Sequence, residues 1–136
     1  MDNSIRWKQR LENFKLANKN LLETASCLKN ESLNKIYTMA IIQAYEMSFE
    51  LAWKTMKDYI EYYGTNVENP RNTIKEAFQQ QIIEDGQLWI EMMEARNKTS
   101  HTYKEDFAKQ ISERILNTYI PLLEKLQRVL ESKVDE

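Results

Sequence analysis

The chain has 136 residues, the size of one domain, and contains only two glycines and two prolines. So few turn-forming residues argue against a sheet of many short strands, and abundant helix formers such as Leu, Glu, Lys and Met predict an all-α fold. Its net charge of −2, from 19 basic and 21 acidic side chains, argues against a positively charged coat for binding duplex DNA.

Apolar spacing predicts two long helices in the first half of the chain. The first covers about residues 5–28 and carries Asn18 on its apolar stripe, where the amide needs a polar partner unless the stripe rotates onto Ala17. The second covers about residues 33–63 and is expected to end at a left-handed Gly64. Its candidate N-cap is Ser32, and its predicted apolar stripe consists of Leu33, Ile36, Tyr37, Ala40, Ala44, Met47 and Leu51.

Two short helices and one long helix are predicted in the second half of the chain. Asn69-Pro70 predicts the capped start of a third helix, whose apolar side is Ile74, Ala77, Phe78 and Ile82. Glu84-Asp85-Gly86 reads as a turn, and a short fourth helix with Leu88, Trp89, Met92 and Met93 on its apolar side ends near Arg96. The last helix is predicted over residues 103–133 and kinked at Pro121, with an apolar stripe of Phe107, Ile111, Ile115, Leu122, Leu126 and Val129. Together these elements predict an up-and-down helical bundle, similar to a four-helix bundle, with one or two short extra helices.

Two further patterns concern packing and location. Cys27 is the only cysteine, which excludes an intramolecular disulfide and a multi-cysteine metal site, and its helical context predicts a packing role. The N-terminal residues lack the apolar core of a signal peptide, and no apolar run approaches the length of a membrane span. We therefore expect a cytoplasmic protein.

The aromatic series with helical spacing favours core or interface over base stacking, and its members are Tyr45, Phe49, Trp53, Tyr59 and Tyr63.

The only histidine, His101, follows Arg96 by five residues and precedes Tyr103 by two. A proton-transfer group beside a permanent cation suits chemistry on a phosphodiester. From the residues alone a structural interpretation stays open, in which His101 caps a helix end, Arg96 pairs with a helix C-terminus or a carboxylate, and Tyr103 is a buried ring. One histidine without a cysteine cluster is a poor ligand set for zinc, so we expect neither a metal nor a cofactor.

The stretch from Arg96 to Tyr103 resembles the R-x4-H-x-Y motif of HEPN domains, which are helical bundles. The segments 49–59, Pro70-Arg71 and 75–78 are similar to one bacterial subfamily of these domains, the nucleotidyltransferase substrate-binding proteins. The similarity extends from Arg6-Trp7 to Pro121-Leu122-Leu123. It implies a single HEPN-like domain over residues 1–136.

The resemblance implies a homodimer that places two copies of the motif across a cleft, and a partner protein, a minimal nucleotidyltransferase. In related toxins the motif performs metal-independent RNA cleavage. By that resemblance His101 is the general base or acid, Arg96 stabilises charge on the phosphate, and Asn97 positions the phosphate or the histidine. In toxin–antitoxin pairs of this type, the nucleotidyltransferase transfers AMP to the tyrosine of the motif, here Tyr103.

Two other readings remain open. The subfamily name implies a non-catalytic subunit that binds a nucleotide or polymer substrate for the nucleotidyltransferase. Glu50, Lys54 and Ser100 are then candidates for nucleotide or RNA binding, although Glu50 and Lys54 also have the spacing of a simple intrahelical ion pair. The third reading is a helical interaction module without activity.

Overall fold

The computed structural model describes residues 3–27 and 34–135, and every regular element within these ranges is helical. The elements are α1 (Asn3–Ser26), α2 (Lys35–Tyr62), α3 (Pro70–Gln79), α4 (Gly86–Asn97), a 3-10 turn (Thr99–His101), α5 (Glu105–Arg114), a π-helical turn (Ile115–Tyr119) and α6 (Ile120–Ser132). No strand occurs in the described ranges, and the all-α bundle predicted from the sequence is confirmed.

Helices α1 and α2 run antiparallel and form the most extensive contact of the bundle. Trp7, near the start of α1, meets Tyr59, near the end of α2, edge to face with ring centroids 5.0 Å apart. At the opposite end the Tyr37 hydroxyl donates to the Ala25 carbonyl at 3.2 Å. Buried Asn18 finds a polar partner on α6, because its Nδ2 donates to Gln127 Oε1 at 2.9 Å.

Cap chemistry sets the ends of α2. Asn34 Oδ1 accepts from the Tyr37 N–H at 2.9 Å, so Asn34 is the N-cap, whereas Ser32 lies outside the described residues. Gly64 has a φ of +103°, and the Thr65 N–H bonds to the Ile60 carbonyl at 3.2 Å. The predicted left-handed glycine at the end of this helix is therefore confirmed.

The buried face of α2 differs from the predicted stripe. Tyr37 is buried as expected, but the other described members are exposed or half-buried, namely Ile36, Ala40, Ala44, Met47 and Leu51. The core side instead consists of Ile41, Ile42, Tyr45, Phe49, Ala52, Met56 and Ile60. Because α2 is apolar around most of its circumference, its spacing fits two faces, and the aromatic-rich face packs inward. Leu33 lies outside the described residues.

Most of the aromatic series on α2 belongs to the core. Tyr45, Phe49 and Tyr59 are buried, Trp53 is half-buried and Tyr63 is exposed. Tyr45 stacks on Tyr119 with centroids 5.4 Å apart. The core interpretation is thus confirmed for three of the five rings.

The short helices α3 and α4 close one side of α2. Asn69 caps α3, since its Oδ1 accepts from the Asn72 N–H at 2.8 Å, and Pro70 is the first helical residue as predicted. Phe78 was predicted to be buried, but half of it is exposed. Ile74 and Ala77 occupy the core side of this short helix, so the Phe78 ring lies to one side, against Gly86.

The final helix contains an irregularity just before Pro121. It begins at Glu105 rather than Tyr103, and in the π turn the Ile120 N–H bonds to the Ile115 carbonyl, five residues earlier. A proline ring clashes with the carbonyl four residues before it in an ideal helix, here that of Asn117, which lies inside the π turn. The distortion predicted at Pro121 is therefore a π turn.

The buried residues of the last helix differ in part from the predicted stripe. Ile111, Ile115 and Leu126 are buried as predicted, and Phe107, Leu122 and Val129 are half-buried. Leu123 and Leu130 are buried in place of their preceding neighbours. Leu126 keeps its predicted burial, and the buried positions Ile115, Tyr119, Leu123, Leu126 and Leu130 follow spacings of three and four residues through the turn.

Cys27 does not pack into the core as predicted. It is exposed, because α1 ends at Ser26 and Cys27 lies in the turn beyond the apolar stripe. Among the helices in the two described ranges, none combines the length and apolar character that crossing a bilayer requires.

Asp58 ties α2 to the start of α1. Its buried carboxylate accepts from Arg10 Nε at 2.9 Å, whereas the exposed Arg6 stands 3.9 Å away.

We expect Asp58→Ala to lower the free energy of unfolding by about 1–3 kcal/mol, because a charge-assisted hydrogen bond is lost and Arg10 is left without its partner. Urea denaturation measures the loss. Arg6→Ala is the control and should stay within about 0.5 kcal/mol of the parent. Equal losses in both variants would contradict this account.

Candidate functional site

Arg96 lies in the last turn of α4, and the rest of the motif forms a tight turn after it. The Lys98 N–H still bonds back to carbonyls of α4, and the His101 N–H bonds to the Lys98 carbonyl at 3.0 Å. The Lys104 N–H then bonds to the His101 carbonyl at 3.1 Å. Successive backbone hydrogen bonds therefore fix the path from Arg96 to α5.

Glu46 of α2 contacts the motif at two points. Its Oε2 lies 3.7 Å from Arg96 Nη1 and accepts from the Thr99 hydroxyl at 2.8 Å. The same hydroxyl lies 2.8 Å from the Arg96 carbonyl, so its single proton is shared between two acceptors. One carboxylate thus holds both the guanidinium of Arg96 and the turn that carries His101.

Arg96 keeps hydrogen-bonding capacity in this arrangement. Its separation from Glu46 is that of an ion pair and too long for a hydrogen bond. Its Nε is buried, but the side chain as a whole is 35% exposed, and no guanidinium nitrogen makes a hydrogen bond with any residue in the described part of the chain. A guanidinium positioned by charge, with donors still available, suits bidentate recognition of a phosphate.

Glu50 and Lys54 follow Glu46 on α2, four and eight residues later. Lys54 Nζ is 3.1 Å from Glu50 Oε1, and the Trp53 indole N–H donates to Glu50 Oε2 at 3.2 Å. Burial acts to raise the pKa of Glu50, but hydrogen bonds from Lys54 and Trp53 and the charges of Lys54 and Arg96 outweigh it. The pKa of Glu50 consequently lies below its ordinary value, and this carboxylate adds negative charge near Arg96.

A buried tyrosine, Tyr45, supports helix α4 close to Arg96. The Tyr45 hydroxyl donates to the Met92 carbonyl at 2.6 Å, which joins α2 to α4 one turn before Arg96. Burial raises the pKa of Tyr45 well above its ordinary value, and the nearby charge of Arg96 only partly opposes this. Tyr45 therefore stays neutral and serves as a structural support for the site.

His101 is exposed, and its two aromatic neighbours, Tyr103 and Phe107, both follow it in the chain. Its ring centroid is 6.2 Å from that of Tyr103 and 6.4 Å from that of Phe107, both in edge-to-face arrangements. Tyr103 is itself 73% exposed, so its interpretation as a buried ring is wrong. Both side chains are open to a ligand or to a modifying enzyme.

Two other motif residues are placed without fixed contacts. Asn97 and Ser100 are exposed, and neither side chain makes a hydrogen bond within residues 3–27 and 34–135. Of the residues singled out in the sequence, Glu50 is paired with Lys54 and feels the charge of Arg96, whereas Asn97, Ser100 and Tyr103 are exposed. The structural interpretation of Arg96 was that it pairs with a carboxylate, and this pairing, with Glu46, is observed. The ion pair is also compatible with a chemical role for Arg96.

Glu46 and Thr99 were missed in the sequence. The available indication for Glu46 was its position four residues before Glu50, which places both carboxylates on one side of α2. Thr99 lies inside the motif but outside its defining positions. In the described residues, no three His, Cys, Asp or Glu side chains are grouped to hold a metal ion.

Comparisons with known proteins agree with this architecture. Residues 9–132 match the family model described as nucleotidyltransferase substrate binding protein like. A protein of Haemophilus influenzae named "Probable ribonuclease HepT" is 30% identical over 95 residues, a match covering 64% of this chain and 65% of that relative. The match thus spans just under two thirds of the relative's length.

A crystal structure of a Thermus thermophilus protein is also similar. It has a TM-score of 0.76 and 28% sequence identity, and the match covers 90% of this chain and 99% of that one. The family model covers most of the chain. The R-x4-H-x-Y motif of the chain lies at the end of α4 and on the turn that follows it. The chain belongs to the nucleotidyltransferase substrate-binding family of HEPN domain proteins.

Proposed function

We propose that this protein is a toxin-like, metal-independent ribonuclease that works with a minimal nucleotidyltransferase as its antitoxin. The observation that carries the proposal is the double contact of Glu46, which positions Arg96 and the turn bearing His101 together. A fixed cation at the end of α4 and an exposed imidazole on the turn after it suit phosphodiester cleavage, as charge stabiliser and proton-transfer group. The similarity to a protein named as a probable ribonuclease also supports it.

The chemistry follows from these two groups. An imidazole of His101 takes the proton of a ribose 2′-hydroxyl, and the 2′-oxygen attacks the adjacent phosphorus. The bond to the 5′-oxygen breaks, and that oxygen leaves with a proton from a second imidazole. Arg96 stabilises the charge that develops on the phosphorane oxygens, while Asn97 orients the phosphate. The products are a 2′,3′-cyclic phosphate and a 5′-hydroxyl.

A homodimer supplies the second imidazole, and the exposed side of α2 is our candidate interface. Ile36, Ala40, Gln43 and Met47 recur at helical spacing on α2 and are all exposed, with Ile36 82% exposed. Apart from Gln43 this stripe is apolar, and Met47 directly follows Glu46 along α2. A second copy packed on it would bring the two motifs towards each other.

The second candidate function is a substrate-binding subunit without catalysis, which the family description itself favours. Arg96, Ser100 and Lys54 would then bind a nucleotide or polymer for the transferase. This reading predicts nucleotide binding without RNA cleavage. In either case we expect the protein to act in the cytoplasm, where its nucleic-acid and nucleotide ligands occur.

Tyr103 is the proposed site at which the antitoxin attaches AMP. Its phenol oxygen would attack the α-phosphorus of ATP, with release of pyrophosphate and transfer of the phenol proton to a base. The 73% exposure of Tyr103 supports access by another enzyme. The added AMP would place a bulky anion beside His101 and Arg96 and block RNA by charge and occupancy.

We expect the purified protein to cleave RNA in EDTA. Arg96→Ala and His101→Ala should each lower the rate by about 100-fold or more, and Glu46→Gln by about tenfold, because Arg96 and Thr99 lose their anchor. Gel analysis of a labelled RNA measures the rate, and the cyclic phosphate end identifies the chemistry. Arg128→Ala, at an exposed arginine of α6, is the control. Absence of cleavage by a folded, dimeric parent would favour the substrate-binding subunit.

We expect a solution mass of twice the 16.3 kDa chain. Met47→Glu should yield monomers, because it puts a charge into the apolar stripe, where Met47 is 58% exposed in one copy. Leu16→Glu is the matched control, since Leu16 is 61% exposed on the outer face of α1. Light scattering after size-exclusion chromatography gives both masses. A dimer that survives Met47→Glu would place the interface elsewhere.

We expect the cognate nucleotidyltransferase with ATP to add at least one AMP to the protein and to abolish RNA cleavage. Tyr103→Phe should block the addition and leave cleavage resistant to the transferase, because the acceptor oxygen is missing. Intact-mass spectrometry follows the modification. Tyr62→Phe, at another exposed tyrosine, serves as the control. Modification of the Tyr103→Phe protein would exclude this residue as the acceptor.

A further inference from the structure

A cavity of about 230 Å³ opens beside the motif, between the start of α2 and the start of α5. Thr102 and Tyr103 connect it directly to His101. Its lining residues are Lys35, Thr38, Met39, Thr102, Tyr103, Glu105, Asp106, Ala108 and Lys109. Neither the Arg96 site nor the proposed reaction uses the α2 and α5 residues of this lining.

The charged side chains around the cavity are not engaged elsewhere. Lys35, Lys109, Glu105 and Asp106 are exposed, and none forms an ion pair with another described residue. By contrast, several exposed charged groups elsewhere are paired, such as Arg114 with Glu91 and Lys125 with Glu84. Two cations and two carboxylates around one small cavity are therefore available to a ligand that carries both an anionic group and hydrogen-bond donors.

The remaining walls suit a flat ring. Tyr103 contributes a large aromatic surface, and Met39 contributes a flexible thioether that adapts to a planar partner. Thr38 and Thr102 line the same space, and their side chains carry hydroxyls that both donate and accept hydrogen bonds. The volume lies below the roughly 300–1,000 Å³ of pockets for larger small molecules, which favours a ligand the size of one nucleoside.

We propose that this cavity binds one nucleotide, with its base against Tyr103 and Met39 and its phosphate towards Lys35 or Lys109. Glu105 or Asp106 accepts a hydrogen bond from the exocyclic amino group of the base, which favours adenine, cytosine and guanine over uracil. The proposal rests on the proposed function, since it assigns the base that lies next to the His101 turn. The nucleotide is either a residue of the bound RNA or the AMP joined to Tyr103, because both present the same chemistry to the cavity.

The test is a titration of protein carrying ¹³C-labelled methionine methyl groups with AMP, CMP, GMP and UMP. The Met39 methyl reports on the cavity, and the Met56 methyl, buried in the core on the same helix, is the internal control. We expect AMP, CMP and GMP to shift the Met39 signal saturably and leave Met56 unchanged. UMP should bind about tenfold more weakly.

Variants separate the contributions. Tyr103→Ala should weaken binding of all four nucleotides about tenfold through loss of stacking. Lys109→Glu should weaken all four as well, whereas Lys19→Glu, at an exposed lysine of α1, should change nothing. Glu105→Gln combined with Asp106→Asn should remove the disadvantage of UMP.

Two results would overturn the proposal. Inorganic phosphate or ribose 5-phosphate that shifts Met39 as strongly as AMP would indicate an anion site without base recognition. No shift with any nucleotide would exclude the pocket, even for a protein that cleaves RNA. Nucleotide binding by a protein that cleaves no RNA would instead support the pocket and count against the ribonuclease.

A single-stranded RNA oligonucleotide added to the His101→Ala protein distinguishes the two sources. If the oligonucleotide displaces AMP from the cavity, the pocket holds a residue of the RNA. If AMP binds and the oligonucleotide does not displace it, the pocket holds the AMP joined to Tyr103. Both results support nucleotide binding at this place.

Discussion

The geometry of the motif depends on the carboxylate of Glu46. It lies 3.7 Å from Arg96 and 2.8 Å from the hydroxyl of Thr99, so one acidic group fixes the end of α4 and the turn after it. A half-buried carboxylate requires partners, because removing it from water is unfavourable unless charge or hydrogen bonds replace the lost hydration. Here both partners come from the motif. A residue of α2, 53 positions before Thr99, thereby fixes where the end of α4 and the following turn lie relative to α2.

Helix α2 combines three roles around its circumference. Its aromatic side builds the core, with Tyr45 hydrogen-bonded to α4 and stacked on Tyr119. Its polar edge provides Glu46 and Glu50 to the Arg96 site, and its remaining side exposes apolar residues such as Ile36 and Met47. Core, candidate site and candidate interface are therefore coupled through one rigid element. A displacement of α2 would alter all three together.

Local chemistry in the sequence predicted the helices and several of their ends. Gly64 and Asn69 act through their own backbone conformation or side chain, so neighbouring residues suffice to identify them. The buried side of α2 was not predictable in this way, because an apolar surface on most of the helix fits more than one orientation. Glu46 was missed for a related reason. Its role depends on where α4 ends in space, and spacing along α2 contains no such information.

The π turn at Ile115–Tyr119 has a consequence for comparing this chain with its relatives. A π turn holds one more residue than a regular helical turn without lengthening the helix correspondingly. It is thus equivalent to a one-residue insertion that leaves no visible loop. A relative with an uninterrupted α-helix at this place must be aligned with a gap between Arg114 and Pro121. Without that gap, each residue of α6 would be equated with the neighbour of its true counterpart, and buried positions would be compared with exposed ones.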